Sequence, residues 1–194
     1  LPTVGCVNAA AARLAAVAGA RLAGRVDGVH AFPHPYGCSQ LGDDLADTRR
    51  LLAGLVRHPN AGGVLLLGLG CENNQARALL AEVDQLGGIA PERLCVLATQ
   101  DVPDELEAGL AALAELADVA ARDRRTPCGL DALVVALKCG GSDGLSGLTA
   151  NPLVGRVAER LCAVGGIGVL SEVPEMFGAE RVLFGRAADR ATFD

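Results

Sequence analysis

Short apolar runs alternate with longer segments of helical period about six times along this chain, which leaves few architectures open. The runs lie at residues 3–6, 28–32, 63–69, 94–98, 130–137 and 167–170. They lack polar alternation, as expected of strands covered on both faces of a parallel sheet. Between them, residues 8–22, 43–57, 74–86, 103–122, 152–164 and 179–183 read as helices. In 103–122, Leu106, Leu110, Leu113, Leu116 and Ala117 form one apolar stripe, and Asp104, Glu105 and Glu107 crowd the first turn, where the helix dipole favours anions. Asp43 and Asp44 open the second helix, Asn151 and Pro152 suit a helix start, and Gly87-Gly88 and Gly165-Gly166 suit helix ends. Strand followed by helix implies right-handed crossovers. The expected fold is therefore α/β: a doubly wound, mainly parallel sheet of about six strands with helices on both faces, Rossmann-like. Residues 1–194 are read as a single domain, with the polar stretch 122–127 as the best candidate for a boundary or long loop.

Composition narrows the function classes. Of 194 residues, 51% are hydrophobic and 21% charged, which argues against disorder. The longest apolar runs fall well short of the roughly 18 residues that a membrane span needs. A net charge of −6 argues against nucleic acid or an anionic membrane as the main partner. Seven cysteines spread over a chain of this length do not read as a disulfide framework, and no signal peptide is visible. A cytoplasmic protein is the expectation.

The unusual residues cluster where strands should end. Cys6 follows the first run, Cys38 the second, Cys71 the third and Cys139 the fifth, each in a turn with glycines or polar groups. In an open α/β sheet the carboxyl ends of the strands share one rim, where ligands bind. Thiolates gathered there point to nucleophilic chemistry or soft-metal ligation. Cys95, Cys128 and Cys162 read as small buried hydrophobes. His34, beside Cys38, is a candidate ligand or proton carrier, whereas His30 and His58 read as structural. Lys138 is the only lysine and adjoins Cys139, a place to bind a carboxylate or do acid/base work. The Gly- and Ser-rich run 140–147, with Gly140, Gly141, Ser142, Asp143 and Ser146, leads to Asn151 and could cradle a carboxylate or phosphate. Glu172 and Glu175 follow the last run, as candidates for hard-metal binding or general base catalysis or as a solvated loop. A dinucleotide site would need GxGxxG after the first strand, and Gly5-Cys6-Val7-Asn8 does not supply it.

Taken together, residues 1–8 (LPTVGCVN), 34–38 (HPYGC), 58–74 (HPNAGGVLLLGLGCENN), 137–155 (LKCGGSDGLSGLTANPLVG) and 170–180 (LSEVPEMFGAE) resemble the altronate and galactarate dehydratase family, in family order. Ser39 stands where some members have glycine. The resemblance implies the central domain of a longer dehydratase, whose small N-terminal domain or subunit is a further partner. It implies an iron-dependent hydro-lyase that turns a sugar acid such as altronate or galactarate into a 2-keto-3-deoxy acid. Cys38, Cys71 and Cys139 would hold an iron–sulfur cluster, or a mononuclear Fe2+ would use His34 and a glutamate. Lys138, Ser142 and the Gly140 and Gly141 amides would grip the substrate carboxylate, with Asp143, Ser146 and Asn151 nearby. His34 or Glu172 would move the proton. The alternatives are a sulfolactate sulfo-lyase subunit, or an excised domain inactive without its flanking domains. A homodimer is left open.

Overall fold

A computed structural model describes residues 1–141 and 143–194. Read as one domain from sequence, the chain divides into two compact units, Leu1–Arg124 and Arg125–Asp194, at a point inside the polar stretch 122–127. The described residues form four strands, paired as two separate two-stranded parallel sheets. The six-stranded doubly wound, Rossmann-like sheet is therefore incorrect. None of the described helices is long and apolar enough to cross a membrane.

In the first unit, β1 (Val64–Gly68) pairs in parallel with β2 (Leu94–Ala98), Val64 opposite Leu94 and Gly68 opposite Ala98. Strand β1 is buried along its whole length and its side chains alternate between two packed faces. Leu65 and Leu67 join Val4, Val7, Ala11, Leu14 and Leu116, from the segment around α1 (Asn8–Arg21) and from α4 (Glu105–Ala120). Val64 and Leu66 join Leu52, Ala53, Val56, Leu79 and Val83, from α2 (Gly42–Val56) and α3 (Ala76–Gln85). Helices thus cover both faces of a very narrow sheet. Each buried valine or leucine in these clusters contributes about 1.5–3 kcal/mol.

Two expected strands fail for identifiable reasons. At the N-terminus the pairing is shorter and earlier than 3–6. The nitrogen of Leu1 donates to the Leu65 carbonyl (2.7 Å), the Leu67 N–H to Leu1 (2.9 Å) and the Thr3 N–H to Leu67 (2.9 Å). Only the Pro2–Leu67 bridge results, because Gly5–Val7 closes a 3-10 turn that feeds α1. Residues 28–32 form no strand at all. Val29 and Ala31 pack against the core clusters, so the apolar signal is genuine, but Pro33 and Pro35 remove ladder donors just beyond.

Helix ends follow capping chemistry. Asp104 caps α4 by accepting the Glu107 N–H (2.9 Å). Gly87 and Gly88 end α3 with positive φ angles of 103° and 69°, and the Gly88 N–H returns to the Val83 carbonyl (2.9 Å).

In the second unit, β3 (Val134–Leu137) pairs in parallel with β4 (Ile167–Leu170), and α5 (Ala150–Ala163) connects them. Two short helices follow, α6 (Glu180–Phe184) and α7 (Arg190–Phe193). Pro152 sits in the first turn of α5, where its missing N–H costs nothing. Asn151 lies inside that turn and Thr149 takes the cap position, one correction to the sequence reading. Among the described residues, all buried hydrophobic side chains fall between Val4 and Ala117. Cys128 and Cys162 are consequently exposed rather than core residues, and Cys95 is half-buried.

Candidate functional site

In the first unit, the N-terminal turn and the segment carrying His34 and Cys38 are built for each other. The Gly5 N–H donates to the Tyr36 carbonyl (2.7 Å), and a Cβ on Gly5 would lie 3.0 Å from the carbonyls of both His34 and Tyr36. Asn8 binds the backbone of His34 twice, Nδ2 donating to its carbonyl (2.8 Å) and Oδ1 accepting its N–H (3.4 Å). The His34 ring closes the latch: Nε2 lies 3.1 Å from the Pro2 carbonyl and Nδ1 accepts the Tyr36 N–H (3.3 Å). The neutral Nε2–H tautomer satisfies both contacts. His34 is thereby committed at both nitrogens, and would carry a proton only by releasing a backbone group.

Cys38 and Cys71 sit on neighbouring loops, because the Asn73 N–H donates to the Cys38 carbonyl (2.9 Å). Both thiols are exposed. The Cys71 loop leaves the carboxyl end of β1, and Gln100, just past β2, places its Nε2 3.9 Å from the Cys71 sulfur. Beneath this loop lies a network that sequence reasoning missed. Glu72 is buried and accepts from Thr3 Oγ1 (2.5 Å), the Gly70 N–H (2.7 Å) and the Leu69 N–H (3.2 Å). Burial pushes its carboxyl up, but these bonds outweigh it and hold the group below the usual carboxylate value. Buried Asn74 donates to the Thr3 carbonyl (3.1 Å) and accepts from Arg49 Nε (3.2 Å). Gly68 makes room for the network, since a Cβ there would stand 2.7 Å from Glu72 Oε1. The run GLGCENN shows an acid in a glycine-rich turn, but its burial and its Thr3 partner, 69 positions away, are set by long-range contacts.

In the second unit, Lys138 is exposed and Cys139 half-buried, directly after β3. The Cys139 N–H donates to Glu172 Oε2 (2.7 Å) from the turn after β4, and the Ser171 hydroxyl donates to the Leu137 carbonyl (2.8 Å). Asp143 and Ser146 are used to build their own turn. Asp143 Oδ1 accepts the Leu145 N–H (2.7 Å), and the Ser146 hydroxyl donates to the Asp143 carbonyl (2.8 Å). The Asn151 N–H donates to the Ser146 carbonyl (2.9 Å). Gly140 and Gly141 have open space where a Cβ would point. Ser142 lies outside the described residues. Glu175 donates its N–H to the Glu172 carbonyl (2.9 Å).

The structure therefore brings Cys38 beside the Cys71 loop in one unit, and Cys139 beside Glu172 in the other. Among the described residues, no group of three or more His, Cys, Asp or Glu side chains converges to hold a metal ion. The thiols themselves are of a type that suits iron.

These features define a protein with two parallel strand pairs, in which the Cys71 and Cys139 turns follow the carboxyl ends of β1 and β3, whereas Cys38, expected after a strand at 28–32, follows none. Comparison with known proteins makes the class specific. Residues 1–121 match the family model described as D-galactarate dehydratase/Altronate hydrolase, second domain, and residues 130–194 match D-galactarate/Altronate dehydratase, C-terminal. The chain belongs to this family. It is 51% identical over 196 aligned positions to an altronate dehydratase of Escherichia coli and 50% identical to one of Bacillus subtilis, matching across all of this chain. It is 35% identical over 72% of its length to a galactarate dehydratase (L-threo-forming) of E. coli, covering 28% of that protein. The chain spans 39% of the length of each altronate dehydratase. No solved structure matches it.

Proposed function

We propose that this chain is part of a sugar-acid hydro-lyase, acting on altronate or galactarate to give a 2-keto-3-deoxy acid and water. Identity to altronate dehydratases across the whole chain is the observation that carries the reading. The chemistry removes the proton next to the carboxylate, expels the neighbouring hydroxyl, and lets the enol tautomerise to the ketone. That proton is weakly acidic and hydroxide leaves poorly, so the site must neutralise the carboxylate and assist both proton movements.

The chain offers specific groups for this work. Lys138 supplies the cation for the carboxylate, and the amides of Gly140 and Gly141 lie in an uncrowded turn that a planar anion can approach. Ser142 belongs to the same proposed grip. Asp143, Ser146 and Asn151 shape the turn that follows. His34 is the proton carrier in this reading, once the Tyr36 N–H lets go of Nδ1.

Iron is the proposed metal, with Cys38 and Cys71 as candidate donors in the first unit and Cys139 as a candidate donor in the second; held by such thiols it would supply a Lewis acid for the substrate oxygens. Anaerobic reconstitution with ferrous iron and sulfide separates a cluster, with visible absorbance that disappears in Cys139→Ser, from stoichiometric colourless iron. More than half of each altronate dehydratase lies outside the matched part, and we propose that a small flanking domain or subunit completes the enzyme.

The decisive test incubates the full-length protein with altronate, galactarate and sulfolactate in turn. Keto-acid formation from altronate or galactarate supports the reading. Sulfite release from sulfolactate alone would move the chain to the sulfo-lyases, and no product from any of the three refutes the assignment.

A further inference from the structure

The two strand ends of the second unit are joined by one carboxylate. Leu137 and Leu170 are the last paired residues of β3 and β4, and Cys139 and Glu172 each stand two residues beyond. Across that gap the Cys139 N–H donates to Glu172 Oε2 at 2.7 Å, a charge-assisted bond. The Ser171 N–H and hydroxyl both reach the Leu137 carbonyl, at 3.2 and 2.8 Å, so Glu172 extends an existing stitch by one step.

The backbone of Glu172 is also unusual. Its φ of 64° and ψ of 45° are left-handed, and among the described residues it is the only non-glycine with positive φ. A side chain with a Cβ adopts this conformation at a cost, which persists where surrounding contacts over-determine it. Here the compensating contact is the carboxylate on the Cys139 amide. The first unit uses the same device, since Glu72 accepts the Leu69 and Gly70 N–H groups immediately before Cys71.

We propose that Glu172 is a positioning residue, whose carboxylate anchors the Cys139 amide and holds the turn 138–141 ready for the substrate carboxylate, and that it is not the base. The inference rests on the sugar-acid reading for the purpose of the turn, but the anchor itself does not. An anchor needs only an acceptor, which a glutamine carbonyl supplies, whereas a base needs a carboxylate.

The experiment compares Glu172→Gln, Glu172→Ala and Glu172→Gly. Tryptic cleavage after Lys138 and Arg156 releases Cys139 in a peptide with no other cysteine, so iodoacetamide labelling of Cys139 can be timed by mass spectrometry without any activity assay. An anchor predicts labelling about fivefold or more faster in the alanine and glycine variants and within about twofold of the parent in the glutamine variant. Equal acceleration in all three would show that lost charge, not a lost bond, is responsible, and unchanged labelling in all would show no anchor; either overturns the proposal. In the full-length protein, the alanine variant should lose about 10–100-fold in kcat/KM and the glutamine variant should recover at least about tenfold of that loss. A glutamine variant as inactive as alanine overturns the positioning role in favour of acid/base work. If the full-length parent makes no keto acid, the functional reading fails while the labelling series still decides the anchor.

Discussion

Gly68→Ala tests the buried network that carries the Cys71 loop. The new Cβ would stand 2.7 Å from Glu72 Oε1 and 3.3 Å from Thr3 Oγ1, so the carboxylate must move. Movement strains a packed interior and lengthens bonds from Thr3, Gly70 and Leu69 that are now 2.5, 2.7 and 3.2 Å. Overpacking costs about 1–3 kcal/mol and a weakened bond to a charged group about 1.5–3 kcal/mol, so a total of about 2.5–6 kcal/mol is expected. Glu72→Ala alone should also destabilise, because three donors lose their acceptor. The two changes should not add. Without Glu72 the alanine at position 68 keeps only the 3.3 Å contact with the Thr3 hydroxyl, and the double variant should recover a coupling of about 1–3 kcal/mol. Urea unfolding followed by far-ultraviolet circular dichroism reads all four proteins, which suits a chain with no tryptophan and one tyrosine. Additivity of the two single effects, or a Gly68→Ala cost below about 0.5 kcal/mol, would refute the steric and hydrogen-bonding account.

Leu66→Ala empties a fully buried position at the centre of β1 and should cost about 2–5 kcal/mol, read as a lower urea midpoint. Asn8→Ala removes both side-chain bonds to His34, about 1–2 kcal/mol locally. Its signature is faster amide exchange at His34 and Tyr36; unchanged exchange there would mean that Asn8 is not the pin. Cys95 should react with iodoacetamide at least about tenfold more slowly than Cys38 or Cys71. Burial pushes its thiol up and Glu115 adds to the rise, while the other two are exposed. Comparable labelling rates would contradict that environment.

What the sequence made legible divides along physical lines. Strands 94–98 and 167–170 were readable to the residue, and the long helices to within a few residues, because apolar periodicity follows directly from burial. The runs at 3–6 and 28–32 were apolar for the same reason, yet a strand also needs a neighbour with free donors and acceptors. Leu1, Thr3 and Leu67 supply only a short ladder, and Val29 and Ala31 pack without one. The sheet was therefore overcounted from a correct burial signal. The site shows a similar split. Cys71, Cys139 and their glycine turns were visible as residue types at strand ends, Cys38 was expected at one that does not form, and Glu72, Thr3 and Asn74 were not visible, since a buried polar network depends on contacts between residues up to 71 positions apart.

The two units hold their cysteine turns by different means, and the difference bears on function. In the first, the Cys71 loop rises from β1, whose Leu66 and Leu67 are fully buried between helices, so packing fixes the strand and the Glu72 network only shapes the loop. In the second, Val134 and Ile167 are 63% and 55% exposed, and none of its described hydrophobic side chains is buried. The position of the Lys138 and Cys139 turn then depends on the β3–β4 ladder and on polar pins at its end: Ser171 on Leu137 and Glu172 on Cys139. Loss of one pin should matter more there than in the first unit, because little packing remains to restore the geometry. A strained left-handed Glu172 is the kind of residue such a turn would retain, since the conformation that costs backbone energy is also the one that puts its carboxylate on the Cys139 amide.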